Sequence, residues 1–591
     1  MKYLDSKSLY YAFLSGANNV IRYRKLLNEI NVFPVADSDT GNNLAFTMNS
    51  IIKEAEVCKS VKKTLESMAE GALLGARGNS GTIFAQFING LSQEIKADSS
   101  LSITGFATSI ERTVPYLYDS IENPVEGTMI SVIRDWSLEL SDLKDNTDDF
   151  LELFNYSLTK AKSSLANTQN QLKILKEAEV VDAGAKGFVK FLEGILNFIK
   201  DGEIKNELFN QTEELNIVKQ KDNHLEIKYR YCSEALLTGV KVSKDKLKEE
   251  IKDLGDSLIL AGSKEKFKIH IHTNQPAKLF ARLNNFGQIQ NDKVDDMYKE
   301  YLVTNKRKSD IALVTDSIAD LPQELIDQHQ IQVINLNLII EGINYLDKLT
   351  IDADNFYSLL EEVEEHPSSS QPSLKSIENL FSFLTDHYQS IIVITVSKEL
   401  SGTWNVVNKA AAKFEKSKTE ITVINSKLNS AAQGLAVLEA AEEIEKGKEH
   451  EQVVEKVNDV INRTKIYVSL DTLKYMVRGG RVGQMKGLLA KVLNLKPIAS
   501  LDDNGAGIVL DKGFSRKGVK KKIKKLVTEI ENKEGIKRYS IVHAHALDRA
   551  KEFAELFSRE LEKEPEYISE ISPIVGLNSG LGSVAISLVL K

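Results

Sequence analysis

Asn31-Val-Phe-Pro-Val-Ala-Asp37-Ser-Asp39-Thr40-Gly41-Asn42-Asn43 separates two apolar helical segments and is expected to be a loop between them. Two carboxylates at i and i+2 in an irregular loop can converge on one hard cation. They supply oxygens to Mg²⁺, which keeps waters and shares its remaining sites with substrate phosphates. Thr40, Gly41 and Asn42 then open the next helix, where free N–H groups and the positive dipole end favour phosphate. The alternative is an acidic turn with Asp as an N-cap. A second stretch, Gly71-Ala-Leu-Leu-Gly75-Ala-Arg77-Gly78-Asn79-Ser80-Gly81-Thr82, favours the phosphate reading. Its glycines let backbone amides approach phosphates closely, and Ser80 or Thr82 can donate hydroxyls where a helix begins. It lacks the Gly-Lys-Ser/Thr ending of a Walker A loop. Close helix–helix packing is the competing use of its glycines.

Outward from these loops, residues 6 to about 200 read as helices, with apolar residues at three- and four-residue spacing, as in Leu65, Met68, Ala69, Ala72 and Leu73. Breaks fall at 31–43, 75–81, 123–127 and 181–187. The last two, Pro124-Val-Glu126-Gly127-Thr128-Met129 and Val181-Asp182-Ala183-Gly184-Ala185, are either walls for a base and ribose or turn and cap residues. The first histidine is His224, so chemistry in this region would rest on carboxylates, metal and backbone.

A chain of 591 residues is too long for one core and predicts three or four domains. A formal net charge of −8 argues against a nucleic-acid binder. Met1-Lys-Tyr-Leu-Asp-Ser-Lys7 lacks the apolar core of a signal peptide, and no run is long enough to span a membrane, so no stable membrane insertion is expected. Two cysteines, Cys58 and Cys232, exclude a disulfide framework and point to a reducing cytoplasm.

Residues 201 to about 225 are polar and read as a linker. Leu225–Tyr231 and Phe267–His272 alternate apolar with polar as half-buried strands do, and Lys244–Leu254 reads as an amphipathic helix between them. His270 and His272 share one strand face, and Cys232 follows the other strand. Together they form a three-ligand zinc set if the strands are neighbours, or else surface histidines beside a buried thiol.

From 310 to 591 strand and helix alternate, with strands at Ile311–Thr315, Gln332–Leu338, Ser390–Val396, Glu420–Ile424, Lys465–Ser469 and Tyr539–His543. Hydroxyl-rich loops (Asp316–Pro322, Ser369–Ser373, Leu400–Thr403, Asn425–Lys427) and Arg478-Gly-Gly-Arg481 would together suit a carboxylate or phosphate at strand ends. Each alone is an ordinary turn or cap.

The four N-terminal breaks resemble the nucleotide-binding fold in the L-subunit of dihydroxyacetone kinase and, more closely, the catalytic subunit of bacterial fatty acid kinase. That resemblance implies an all-α helical barrel over 1–200 holding ATP with two Mg²⁺ ions. Asp37 and Asp39 would be metal ligands, with Asn31 near the position where the dihydroxyacetone enzymes carry a third Asp. Asp37, Asp39 and Thr40 would form the catalytic group. Asn42, Asn43, Gly78, Asn79, Ser80, Gly81, Thr128, Met129, Asp182 and Gly184 would contact the nucleotide.

Residues 225–304 resemble a fatty acid kinase middle domain, a small α+β domain that includes Tyr231-Cys232 and His270-Ile-His272. Residues 310–591 resemble the DegV family of fatty-acid-binding proteins, a two-lobed α/β fold, through Val314–Asp320, Ser370–Ser373, Leu400–Thr403, Gly479–Gly483 and Leu493–Pro497. The implied head-group contacts are Ser369, Ser401 and Gly402, with Arg478 or Arg481 nearby. Asn578 stands where the family carries a histidine.

The expectation is a cytoplasmic, homodimeric fatty acid kinase that makes acyl phosphate for phospholipid synthesis, with outside acyl-binding or acyltransferase proteins as further partners. The rivals are a lipid-sensing protein that binds nucleotide without transfer and a dihydroxyacetone-type small-molecule kinase.

Overall fold

Between Ser6 and Asp201 the described chain runs through ten helices, several of which start at a side-chain cap of the kind the sequence supplies. Asp5 accepts the Ser8 N–H, Ser60 the Lys63 N–H and Ser102 the Gly105 N–H. The helices close on an aromatic core in which Phe84, Phe87, Phe106, Trp136, Phe154, Phe188 and Phe191 are buried, many edge to face. Each such side chain contributes roughly 1.5–3 kcal/mol on leaving water. Trp136 keeps its indole N–H satisfied by donating to Ser157 Oγ at 3.1 Å. The last helix, Ala183–Asp201, lies along the first, Ser6–Arg22, at a glycine-to-glycine contact. A Cβ on Gly194 would stand 2.5 Å from Ser15 O and 2.6 Å from Gly16 Cα.

The structure, a computed structural model, describes residues 1–34, 39–97, 99–201, 227–263, 265–363, 365–480 and 495–591. It divides into two compact units, Met1–Tyr301 and Leu302–Lys591. The linker read at 201–225 lies almost wholly outside the described residues. No described helix is long and apolar enough to cross a membrane.

Unit 1 also contains an antiparallel four-stranded sheet in the order Gly255–Ser263, Lys266–Thr273, Tyr231–Thr238, Gln288–Asp296. The strand expected at Leu225–Tyr231 is displaced: residues 227–230 are not strand, and the strand is Tyr231–Thr238. Its residues 232–237 are all buried, so it carries no alternation to betray it. The sheet and the helices share a core. Ala261 belongs to the aromatic cluster, Gly262 N donates to Gln86 Oε1 at 2.8 Å, and Ile121 bridges to Ile259.

Unit 2 holds a parallel sheet, Glu420–Asn425, Ser390–Thr395, Ile311–Asp316, Gln332–Ile334, and a mostly antiparallel six-stranded sheet. The second runs Gly507–Gly513, Lys496–Leu501, Thr464–Ser469, Val584–Leu590, Ile536–His543, Ile568–Glu570. A small three-stranded sheet pairs Asn337–Ile340 with Ile343–Leu346 and Ser368–Ser370. The single strand read at Gln332–Leu338 is thus two short strands broken at Asn335–Leu336.

Buried carboxylates tie the loops of unit 2 together. Asp316 accepts Val396 N at 2.7 Å and Gln433 Nε2 at 3.0 Å. Asp320 accepts Ser430 Oγ at 2.6 Å, Ser572 N at 2.7 Å and Lys348 Nζ at 2.9 Å. Asp347 accepts Ser317 Oγ at 2.6 Å and Ile574 N at 3.4 Å. Burial pushes Asp316 and Asp347 each up to about 6, despite the donors that face them.

Two outcomes are expected. Gly194→Val forces the first and last helices apart and costs about 1–3 kcal/mol, read from denaturant unfolding. For the buried acids, the folded-state value lies above the unfolded one. Their stabilisation is therefore complete below the unfolded value, near 4, and is lost as pH rises through about 6. Unit 2, followed by Trp404 fluorescence in a Trp136→Phe background, should lose about 1 kcal/mol per acid between pH 5 and 7. Asp347→Asn should remove one such share.

Candidate functional site

Asn28, Asn31 and Asp39 are joined to the start of the helix Thr40–Glu54 by side-chain hydrogen bonds. Thr40 Oγ1 donates to Asn31 Oδ1 at 2.7 Å, Asn43 Nδ2 to Asp39 Oδ2 at 2.6 Å, and the Asn42 N–H to Asn28 Oδ1 at 3.0 Å. Asp37 lies outside the described residues. The helix Gly78–Glu94 begins at a glycine with φ +59°, and a Cβ there would stand 2.3 Å from Asn43 Nδ2, so the two helix starts meet at a contact only glycine allows. Gly81 packs against Thr47 and faces the helix pair. Beside Ser80, a Cβ on Gly184 would come within 2.7 Å of Ser80 Oγ, 3.2 Å of the Met129 methyl and 3.4 Å of Asp182 Oδ1. Three of the four loops therefore converge there. Asp182 caps the last helix through the Ala185 N–H at 2.7 Å, and burial lifts its carboxyl to about 6. Thr128 precedes the Met129 helix, its hydroxyl donating to Val125 O at 2.8 Å.

The sheet of unit 1 turns one face to this place. Register pairs Cys232 with His272 and Asp295, and Glu234 with His270 and Lys293, so all six side chains share that face. Cys232, His270 and His272 are buried, with ligand atoms mutually within 4.8 Å. Together with Asn31, Asp39, Thr40, Asn43, Gly78, Asn79, Ser80, Asp295 and Glu300 they line one cavity of about 40 Å³. That is an ion-sized space, close to the share of volume one water takes in the liquid, about 30 Å³. A thiol and two imidazoles form the donor set of a zinc site that keeps a fourth position open. His270 Nε2, buried and without a hydrogen-bond partner among the described residues, is an acceptor that such a metal would satisfy. Asp39, Asp295, Glu300 and Asn31 present oxygens of the kind a hard cation takes.

Sequence reasoning missed Glu234, Lys268, Lys293, Asp295 and Glu300. Burial would raise Glu234, but Lys268 Nζ at 3.1 Å, His270 and Lys293 outweigh it and hold the carboxyl well below its usual range. Lys293 pairs with Asp295, which overrides burial and raises the ammonium. Burial, then Glu234 and Asp295, push the Cys232 thiol up, while burial and His270 drive His272 down to about 3. Desolvation, with Asp295 and Asp39 adding repulsion, holds Glu300 well above the carboxylate range. Alternating charge at i+2 on a strand flanking two histidines was the signal available in Cys232-Ser-Glu234 and Lys268-Ile-His270.

In unit 2 a cavity of about 470 Å³ opens at the carboxyl ends of the parallel strands. Its walls are Ile318, Leu336, Val396, Leu400, Ile466, Val468 and other apolar side chains, and Ser369, Ser401, Gly402 and Asn578 join them. Ser401 and Thr403 hydroxyls lie 2.8 Å apart, and a Cβ on Gly402 would strike Gln371 Oε1. Asn578 Nδ2 donates to Ile574 O at 2.9 Å, and its Oδ1 is buried beside Gly479 without a hydrogen-bond partner among the described residues. Arg478 is exposed at the end of the helix Lys474–Arg478 and does not line the cavity, whereas Met476 of that helix does. Arg481 lies outside the described residues. Asp316 and Asp320, read as part of a head-group loop, instead anchor Val396, Ser430 and Ser572 from below.

Family models match three consecutive segments: "DAK2 domain" at 34–197, the FakA-like middle domain of fatty acid kinase at 228–302, and "Uncharacterised protein, DegV family" at 310–591. Uncharacterized proteins of Staphylococcus aureus, from strains bovine RF122 / ET3-1 and USA300, are 32% identical over 299 residues, 49% of this chain and 55% of the relative. The chain thus spans about half the length of the curated relatives it matches. Among solved structures, DegV from Bacillus subtilis, described as a fatty acid binding protein, is 27% identical and covers 48% of this chain and 100% of its own, with a TM-score of 0.44. A DegV-family protein from Thermus thermophilus, described by its fatty acid binding, is 24% identical over 48% of this chain and 99% of its own, with a TM-score of 0.45. One polypeptide therefore carries a DAK2 domain, a FakA-like fatty acid kinase middle domain and a DegV-family domain, in that order.

Proposed function

We propose that the chain is a fatty acid kinase, moving the γ-phosphoryl group of Mg-ATP to the carboxylate of a fatty acid held in the DegV segment. The product is an acyl phosphate, an activated acyl group for phospholipid synthesis. The observation that carries this reading is the unit 2 cavity. Its volume of about 470 Å³, apolar walls and serine hydroxyls suit one long apolar ligand with an anionic head, on a chain that also bears two kinase-type segments. That volume falls in the range of ligand sites, about 300–1,000 Å³.

A carboxylate is already deprotonated at neutral pH, so its attack needs no general base. The absence of histidine before His224 fits that chemistry. A carboxylate oxygen forms the new bond to γ-phosphorus while the bond to the bridging oxygen breaks, and ADP leaves with that electron pair. The obstacle is repulsion between the anionic acceptor and the triphosphate, and positioning with charge neutralisation overcomes it. Mg²⁺ at Asp39, with Asp37 by resemblance, would supply that neutralisation. Asn79 and Ser80 would face the phosphates, with Met129, Asp182 and Gly184 on the adenosine side.

A second reading, a lipid-sensing protein that binds nucleotide without transfer, is favoured by Asn578, whose unpartnered Oδ1 stands where a histidine is the family's residue. ADP release with Mg-ATP, with and without a long-chain fatty acid, separates the two when hydroxylamine traps acyl phosphate as hydroxamate. Fatty-acid-dependent ADP with matching hydroxamate is expected. Asp39→Ala should lower both by at least about 100-fold, the scale of losing one charge-stabilising group, and leave fatty acid binding unchanged. Fatty acid binding without ADP or hydroxamate, even with a separate acyl-binding protein added, would establish the sensor instead.

A further inference from the structure

Glu234 links the two halves of the unit 1 site. Its side chain is 1% exposed. Oε1 accepts the Gly78 N–H at 2.5 Å and lies 3.3 Å from His270 Nδ1, and Oε2 accepts Lys268 Nζ at 3.1 Å. Gly78 opens the helix turn that carries Asn79 and Ser80, and it packs on Asn43, the donor to Asp39. One carboxylate therefore touches both the Cys232–His270–His272 cluster and the turn where phosphate would bind.

Charge gives this contact a direction. A helix start favours an anion, and Glu234 already occupies the Gly78 amide there. A nucleotide phosphate at Asn79 and Ser80 meets that carboxylate, and two anions in a poorly solvated site repel unless cations stand beside them. Lys268 and Lys293 offset part of the charge. A divalent ion on one thiolate and two imidazoles adds one net positive charge. With the metal on His270 Nε2, the orphaned buried atom, Nδ1–H donates to Glu234 in the carboxylate–histidine–metal arrangement.

We propose that Glu234 is a positioning residue that couples the two sites: a divalent transition metal at Cys232, His270 and His272 and a nucleoside polyphosphate at the Gly78 turn each bind more tightly when the other is present. This rests on the nucleotide-binding part of the function proposed above and is independent of phosphoryl transfer. Linkage makes the effect reciprocal.

The test uses the full chain stripped of metal and titrated with Co²⁺, followed by its thiolate-to-metal charge-transfer absorption. Titrations are run with and without ADP, with Mg²⁺ in excess so that ADP does not chelate cobalt. Calorimetry of ADP with and without Co²⁺ gives the reciprocal measurement. ADP should lower the Co²⁺ dissociation constant at least about five-fold, and Co²⁺ should lower that of ADP by the same factor. Glu234→Gln keeps an acceptor for Gly78 but loses the charge, so it should bind both ligands with the dependence removed. Equal Co²⁺ affinity with and without ADP in the unmodified chain overturns the proposal without recourse to any variant. A folded Glu234→Gln chain with full coupling overturns it too. ADP binding without coupling refutes the role of Glu234 alone, whereas no ADP binding at all refutes the nucleotide reading as well.

Discussion

A buried carboxylate with its charge intact is costly unless every oxygen finds a partner. Glu234 meets that condition by taking its donors from two differently built parts of unit 1. Lys268 and His270 come from the neighbouring strand, and the Gly78 amide comes from a helix 156 residues away in sequence. Withdraw the helix and the carboxylate loses its short contact; withdraw the sheet and the left-handed Gly78 turn loses its cap. The geometry of the 40 Å³ cavity follows from this bond, because it holds the sheet face bearing Cys232, His270 and His272 against Asp39, Asn79 and Ser80.

Unit 2 solves a similar problem mostly with amide and hydroxyl donors, Lys348 at Asp320 being a cation among them. Burial raises Asp316 and Asp347 despite the amide and hydroxyl donors on them and, for Asp347, the nearby Lys348, whereas Glu234, beside two lysines and a histidine, is lowered. The difference is one of purpose. In unit 2 the acids brace loops beneath an apolar cavity, and a charge is only tolerated. In unit 1 the charge belongs to the site.

What the sequence revealed was whatever is carried by short spacing: the glycine turn at 75–81, the i, i+2 histidines and the serine-bearing loops, while Asp37, read as the partner of Asp39, lies outside the described residues. The shared cavity was hidden because its defining contact is between residues far apart in sequence. Tyr231–Thr238 escaped notice because burial on both faces erases the period-two pattern. Val584–Leu590 was missed too, and there every residue is buried. Asp347 gave no signal, since an acid after a short strand looks like any turn until Ser317 and Ile574 are seen to converge on it.

The mixed ownership of the unit 1 cavity also bears on how such a chain can be rearranged by evolution. Its walls come from residues 31–80 and from residues 232–300, so a gene break near Asp201 would separate halves of one site and leave neither with a complete cavity. A break near Tyr301, where the two compact units part, leaves both cavities whole. Exchange, loss or duplication of the DegV half is thus structurally permitted at that boundary, while the helical and middle segments are constrained to be inherited together.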